Sequence, residues 1–466
     1  MADPAKGFKI TAGRFSARSS VGLQTVSGLE FEPELVLFLI NSLTAPGLGT
    51  NADLGVGAMS AADQVYHAVS HTPKIGGTAY RHSRHDDTKA IGLIQSGASP
   101  SVLCAAELDS MLSDGFRLDW TTADGQARLI DFLAFSGLQN LKITQIQAPT
   151  STGSQAYTGI GFQPTGVLFL SSLKGSDPPF TSAGAGFMYG HMFDFPASGA
   201  RGVSVSTLAP KEGYGSPNQV GEAGGYPIVS PDGYGNLADR ASYSSFDADG
   251  FTLNWSDVDG NETRYTAICF QSGPHIGGVV PTPTVTGEVE NFADRPYRGL
   301  VHAFLNVYRW TEGAVHSGES SIGIGFFDLG PQVQHMRWFG FDGDNARQSL
   351  SNIALESHDV ATGAVNLAGE VVSATNISAI VDYTVVESEE KFWQVTLFDS
   401  NLPIYAGISA SSSVAGALTR GRGLIGTISA AAQVSGRLRI DGPTKGIGGG
   451  VFIPKGEGTG GKVIKG

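Results

Sequence analysis

Cysteine is nearly missing from this chain of 466 residues: Cys104 and Cys269 are the only two. Two cysteines without a C-x-x-C spacing exclude a disulfide framework and a cysteine-based zinc site, and each is expected in a core as a small apolar side chain. Charged residues are scarce at 16%, which disfavours long solvent-exposed helices. No apolar run reaches the length of about 20 residues that a membrane-spanning helix needs, so no membrane insertion is expected. The stretch Met1 to Phe8 lacks the charged-then-apolar order of a secretory signal, which predicts synthesis in the cytoplasm. Signatures of catalysis are thin as well. There is no G-x-S-x-G, no Walker-type loop, no H-E-x-x-H and no carboxylate pair in a cleft-forming context. These absences predict a non-enzymatic protein with no catalytic residues, no cofactor and no metal.

Glycine, by contrast, is abundant: 64 residues, about twice the ordinary share. With few charges and many turn formers, the chain reads as all-β, with short strands separated by tight connections. The net charge of −13 argues against nucleic acid, which needs clustered Lys and Arg. That charge is unevenly spread. From residue 420 onward, Arg420, Arg422, Arg437, Arg439, Lys445, Lys455, Lys462 and Lys465 face only Asp441 and Glu457. The C-terminal segment is therefore basic and the body acidic.

Self-comparison exposes the organisation. VSGLEFEPELVLFLINSL (26–43) matches YTGIGFQPTGVLFLSSL (157–173) at an offset of 131, pairing Gly28 with Gly159, Phe31 with Phe162, Pro33 with Pro164 and Val36–Leu39 with Val167–Leu170. Gly55, Gly57 and Met59 align with Gly184, Gly186 and Met188, in a small-residue strand that lets another segment approach closely. DGFRLDWTTADG (114–125) then matches DGFTLNWSDVDG (249–260), Trp120 with Trp255. In these blocks Phe116, Leu118 and Trp120 alternate with polar residues, the period of a strand with one buried face. Asp124-Gly125 and Asp259-Gly260 are turn signals, and with the apolar strands that follow they predict a hairpin. The runs VLFLI and VLFLS suit a strand buried on both faces.

A third, more divergent copy is expected over 288–402, with LVHAFLNVYRW (300–310) as its buried strand, Gly323–Phe327 as its small-residue strand, and ISAIVDY with FWQVTLF as its terminal hairpin. The expected divisions are 1–145 and 146–275 for two β-sandwich repeats, 276–287 for a proline-bearing linker, and 288–402 for the third sandwich. Beyond them, ISASSSVAGALT (408–419) and ISAAAQVSGRLR (428–439) repeat with a period of 20 across 403–441, and 442–466 is a Gly-rich basic tail. The fold class is thus all-β: tandem sandwiches with a strand-rich, Gly-rich C-terminal extension.

Several residues invite a functional reading. His67, His71, His82 and His85 cluster, but they lack zinc-ligand spacing and read as an exposed polar loop. Asp257, Asp259, Asn261 and Glu262, like Phe341 to Asn345, resemble calcium loops only until the turn reading accounts for them. Trp120 and Trp255 are in phase with buried positions. Tyr214, Tyr226 and Tyr234 differ: they sit in the Gly/Pro-rich stretch 212–236, where a rigid aromatic offers contact area to a partner.

The blocks GFQPTGVLFL, AGAGFMYG and DGFTLNW resemble a repeated module of tailed-phage and prophage proteins. ISASSSVAGALTRGRGLIGTISA resembles the Ser/Ala/Val/Gly repeats of phage tail and fibre proteins, so the resemblance spans about residues 8 to 440. It implies a virion component, tail-associated, fibre or tail-tip, serving assembly and host-surface adhesion. The alternatives are a capsid decoration protein or head fibre, and a stand-alone carbohydrate-binding module. The partners expected are other copies of the chain in a trimer or other symmetric oligomer, other virion proteins through the basic C-terminal residues, and a host cell-surface glycan at the tyrosines.

Overall fold

The computed structural model describes residues 9–74, 78–174, 184–193, 202–210, 216–222, 224–260, 262–271, 275–281, 286–291, 299–307, 313–328, 333–374, 379–386 and 391–398. Those residues form antiparallel sheets, and the chain is all-β. The strands of the first module are β1 (Lys9–Ser16), β2 (Gly22–Ser27), β3 (Leu35–Ile40), β4 (Gly47–Gly49), β5 (Ala52–Met59), β6 (Gln64–His71), β7 (Arg81–Asp86), β8 (Ile91–Gln95), β9 (Ser101–Leu112), β10 (Gly115–Thr122) and β11 (Leu129–Ser136). The second holds β12 (Asn140–Gln147), β13 (Gly153–Thr158), β14 (Gly166–Lys174), β15 (Gly184–Phe193), β16 (Gly202–Pro210), β17 (Asn218–Glu222), β18 (Ile228–Pro231), β19 (Leu237–Asp247), β20 (Gly250–Asp257) and β21 (Arg264–Gln271). The third holds β22 (His275–Pro281), β23 (Gly287–Asn291), β24 (Gly299–Val307), β25 (His316–Ser317), β26 (Glu319–Asp328), β27 (Val333–Asp342), β28 (Ala346–Ser351), β29 (Leu355–His358), β30 (Val365–Ala374), β31 (Ala379–Val385) and β32 (Lys391–Phe398).

One topology recurs in all three modules. The large sheet of the first is ordered β1-β11-β3-β5-β6-β7 and its small sheet β2-β10-β9-β8. The second repeats this as β12-β21-β14-β15-β16-β17 over β13-β20-β19-β18, and the third as β22-β32-β24-β26-β27-β28 over β23-β31-β30-β29. Two short strands cross between modules. β4, from the first, pairs with the edge strand β28 of the third, and β25, from the third, pairs with the edge strand β17 of the second.

The apolar run of β3 is buried on both faces because two different cores meet there. Val36, Phe38 and Ile40 point into the space between the two sheets of their own module, with Phe116, Leu118 and Trp120. Leu35 and Leu39 point the other way, into a core that also holds Leu168, Leu170, Val205 and Ile268 of the second module and Ile322, Ile324 and Phe339 of the third. The second module behaves alike, with Val167 and Phe169 turned inward toward Trp255. Cys104 and Cys269 are buried, and burial pushes the Cys104 thiol up to about 12.

Four details depart from the sequence expectations. Asp124-Gly125 does not close a hairpin, since β10 pairs with β2 and β9 while β11 pairs with β1 and β3. The turn carries the chain from the small sheet to the large one, and the true hairpin turn is Ser113-Asp114 between β9 and β10. The same correction holds for Asp259-Gly260 and for the third copy, where β31 and β32 lie in separate sheets. The small-residue strands also align four residues further on than expected. Phe38, Phe169 and Phe304 pair with Gly57, Gly190 and Gly325, so Gly57 corresponds to Gly190 rather than Gly186.

Module boundaries shift as well. β12 starts at Asn140, within the stretch assigned to the first repeat, and the stretch assigned to a linker at 276–287 carries most of β22, paired residue for residue with β32. Prolines suggested a break there, but Pro281 ends an edge strand, a place where a missing N–H is tolerated. Residues 399–466, with the 20-residue repeats and the basic tail, lie outside the described residues.

Candidate functional site

The four histidines expected in an exposed loop instead lie on β6 and β7, and all are buried. Alternation along the two strands divides them. His67 and His85 pair directly and share one face, whereas His82 pairs with Ser70 on the opposite face and bonds Ser96 Oγ at 3.1 Å. Polar composition suggested a loop because the residues that satisfy His67, Ser172 and Thr266, belong to a different module, more than a hundred positions away.

Around His67 the first and second modules meet. Ser172 N donates to His67 Nδ1 at 3.1 Å, and His67 Nε2 lies 2.7 Å from Thr266 Oγ1. Gln145 Nε2 donates to the same Thr266 oxygen at 2.8 Å and approaches His85 Nε2 at 3.1 Å. The His67 and His85 rings stack with centroids 4.6 Å apart. Burial, and secondarily His85, holds the His67 imidazole well below its ordinary range.

The same place in the joint between the third and first modules holds ions. Arg337 on β27 and Asp131 on β11 are each completely buried and bond at 2.7 Å, Arg337 Nε to Asp131 Oδ2. Arg337 also donates to Asn41 Oδ1 at 2.6 Å and Leu129 O at 2.7 Å. Arg14 Nε reaches the other Asp131 oxygen at 2.5 Å and extends to Asn352 on the third module. Each nitrogen of the buried guanidinium thus meets an acceptor, as a buried ion pair requires.

Sheet register shows these to be equivalent positions. One residue beyond the partner of Gly57, Gly190 and Gly325 stand His67, Val205 and Arg337 respectively. The partners Thr266 and Asp131 are equivalent in the same way, each opposite the leucine that follows the inward phenylalanine of β14 or β3, as are Gln145 and Arg14 beside them. In the joint between the second and third modules Val205 stands at this place on β16, and register assigns the partner positions to Trp393 on β32 and Val279 on β22. β16 runs beside β22 and β26. The three modules therefore close a head-to-tail ring in which the equivalent place holds a hydrogen-bonded imidazole at one joint, an ion network at another and the apolar Val205 at the third.

Of the tyrosines singled out, Tyr214 lies outside the described residues. Tyr226 is half-buried and its ring is covered by the Arg240 guanidinium at 3.9 Å, itself paired with Glu222 at 2.8 Å. Tyr234 is 75% exposed. Its backbone is fixed in a turn where Asp232 accepts from Tyr234 N at 2.7 Å and Asn236 N at 2.8 Å. Although burial acts upward, the bonds from Asn236, Tyr234 and Gly235 hold the Asp232 carboxyl below its ordinary value. The turn thus presents one rigid aromatic ring. Arg420, Arg422, Arg437, Arg439, Lys445, Lys455, Lys462 and Lys465 lie outside the described residues.

Protein-family models, curated proteins and solved structures alike give no match to this chain. Among the described residues no group of three or more His, Cys, Asp or Glu is placed to hold a metal ion. Asp342 behaves as a turn residue, accepting from Asp344 N at 2.7 Å and from Asn345 N at 2.5 Å. Sequence reasoning missed the joint residues Asp131, Arg337 and Arg14. The signal available was an acid inside the apolar run LIDFLAF and an arginine inside HMRWFGF, each a charge where a strand is otherwise apolar.

Proposed function

We propose that this chain is a non-enzymatic structural component of a bacteriophage virion, tail-associated or fibre-like, serving assembly and host-surface adhesion. The placement in a virion rests on the resemblance of its repeated blocks. What supports a structural role is the ring: the buried His67–Thr266 bond and the buried Arg337–Asp131 pair lie at joints between modules, where they hold parts in order. A block with three similar faces built from one chain suits docking onto a symmetric neighbour.

Adhesion is assigned to the exposed Tyr234 turn, where a ring held by its backbone loses little freedom on contact with a glycan. The basic C-terminal segment is assigned the docking role, because its charge opposes that of the body. Truncation after Leu402 tests that role: particles assembled with the shortened chain are expected to lack it, and normal incorporation measured by immunoblot of purified particles would refute the assignment. Labelled antibody on intact particles separates tail from head.

A further inference from the structure

His67 sits at the one joint of the ring whose equivalent position holds an imidazole. Ser172 N can only donate, so His67 Nδ1 carries no proton and Nε2–H donates to Thr266 Oγ1. A second proton could go only on Nδ1, where it would face the Ser172 N–H in place of a lone pair. It would also set a cation in a fully buried place against the stacked His85 ring.

Among the described residues, those bonded to or stacked on His67 carry no negative charge. They are His85 from β7, Ser172 from β14 and Thr266 from β21, with Gln145 of β12 bonded to Thr266; β15, which also runs beside β6, carries Tyr189 and His191. Further along the same strands, His71 faces Arg81 at 3.1 Å, Arg264 is a cation of β21, and Lys142 of β12 pairs with Asp63 at 3.8 Å. The acid of β5, Asp53, bonds Ser70 at 2.5 Å and faces Gln348 of the third module. The acid of β7, Asp86, is paired with Arg84 at 3.0 Å.

We propose that the joint between the first and second modules is an acid-sensitive seam, which opens when His67 takes up a proton. The depressed imidazole fixes the sign. The closed seam is fully stable above the ordinary histidine range, where open and closed forms are both neutral, and loses stability as pH falls below it, because the open form binds the proton first. The seam needs only the ring, so it holds wherever the chain is located.

Hydrogen exchange on the full chain between about pH 7 and about pH 5, corrected for intrinsic rates, tests this. The proton of His67 alone is expected to lower the protection of Gln64–His71 and Arg264–Gln271 up to about tenfold per pH unit below about pH 6.5. His67→Gln, which does not titrate and keeps a donor for Thr266, makes that slope shallower by the share of His67, while the buried His71 of the same strand, held down to about 3 by burial and Arg81, still contributes. His67→Asn, whose carbonyl can accept from Ser172, is the second variant and does the same. Protection independent of pH in the unaltered chain, or an unchanged slope in both variants, would overturn the proposal.

Discussion

Single residues repeat their task in each module, and glycine does so most clearly. A Cβ on Gly57 would lie 1.9 Å from Ala90 O, on Gly190 1.8 Å from Pro227 O, and on Gly325 1.9 Å from Ala354 O. In each case the backbone entering the small sheet's edge strand presses on the large sheet, leaving no room for a methyl group. Gly57→Ala is therefore expected to cost about 1 to 3 kcal/mol or more in a denaturant titration. Gly343→Ala, which meets nothing within 4 Å, should stay within about 0.5 kcal/mol. Equal effects would contradict the packing described. The close-approach glycine was legible as a type of residue in the sequence but not in register, because β15 contains Gly184, Gly186 and Gly190, and only contact with another strand distinguishes them.

Among elements, the joints decide how modules are ordered. The repeated strands were legible because their apolar pattern recurs, and Trp120 and Trp255 lie in the core their alternation implied. In the third module Tyr383 occupies the tryptophan position opposite Gly287, where Gly22 and Gly153 face the tryptophans. That substitution, with Ala379 in place of phenylalanine, is why the third copy reads faintly. The assignment of consecutive strands to opposite sheets was not legible, since a turn dipeptide fits a hairpin and a crossover alike. Nor were the joints, whose partners lie far apart in sequence. At the ionic joint, Asp131→Ala leaves Arg337 buried and uncompensated, and a loss of about 3 to 5 kcal/mol is expected. Replacing both Asp131 and Arg337 by leucine should cost less than the single change, as the valine at the equivalent place, Val205, suggests. A double variant worse than either single one in a double-mutant cycle would contradict this.

At the scale of the whole body, the core shared by Leu39, Leu170, Phe339 and their neighbours means that no module keeps its large sheet covered alone. Residues 1–400 form one compact unit, so calorimetry on the chain should show the three modules melting in one transition, with matching calorimetric and van't Hoff enthalpies. Three resolved transitions would mean that the modules are independent beads. The unit's proposed place in a virion is tested most directly by electron cryomicroscopy of particles from a culture that produces this chain. The account predicts three-module rings at fixed, symmetry-related positions on the particle surface, labelled by antibody against the chain. Particles that lack the rings and the label, with the protein recovered only free in the lysate, would contradict it.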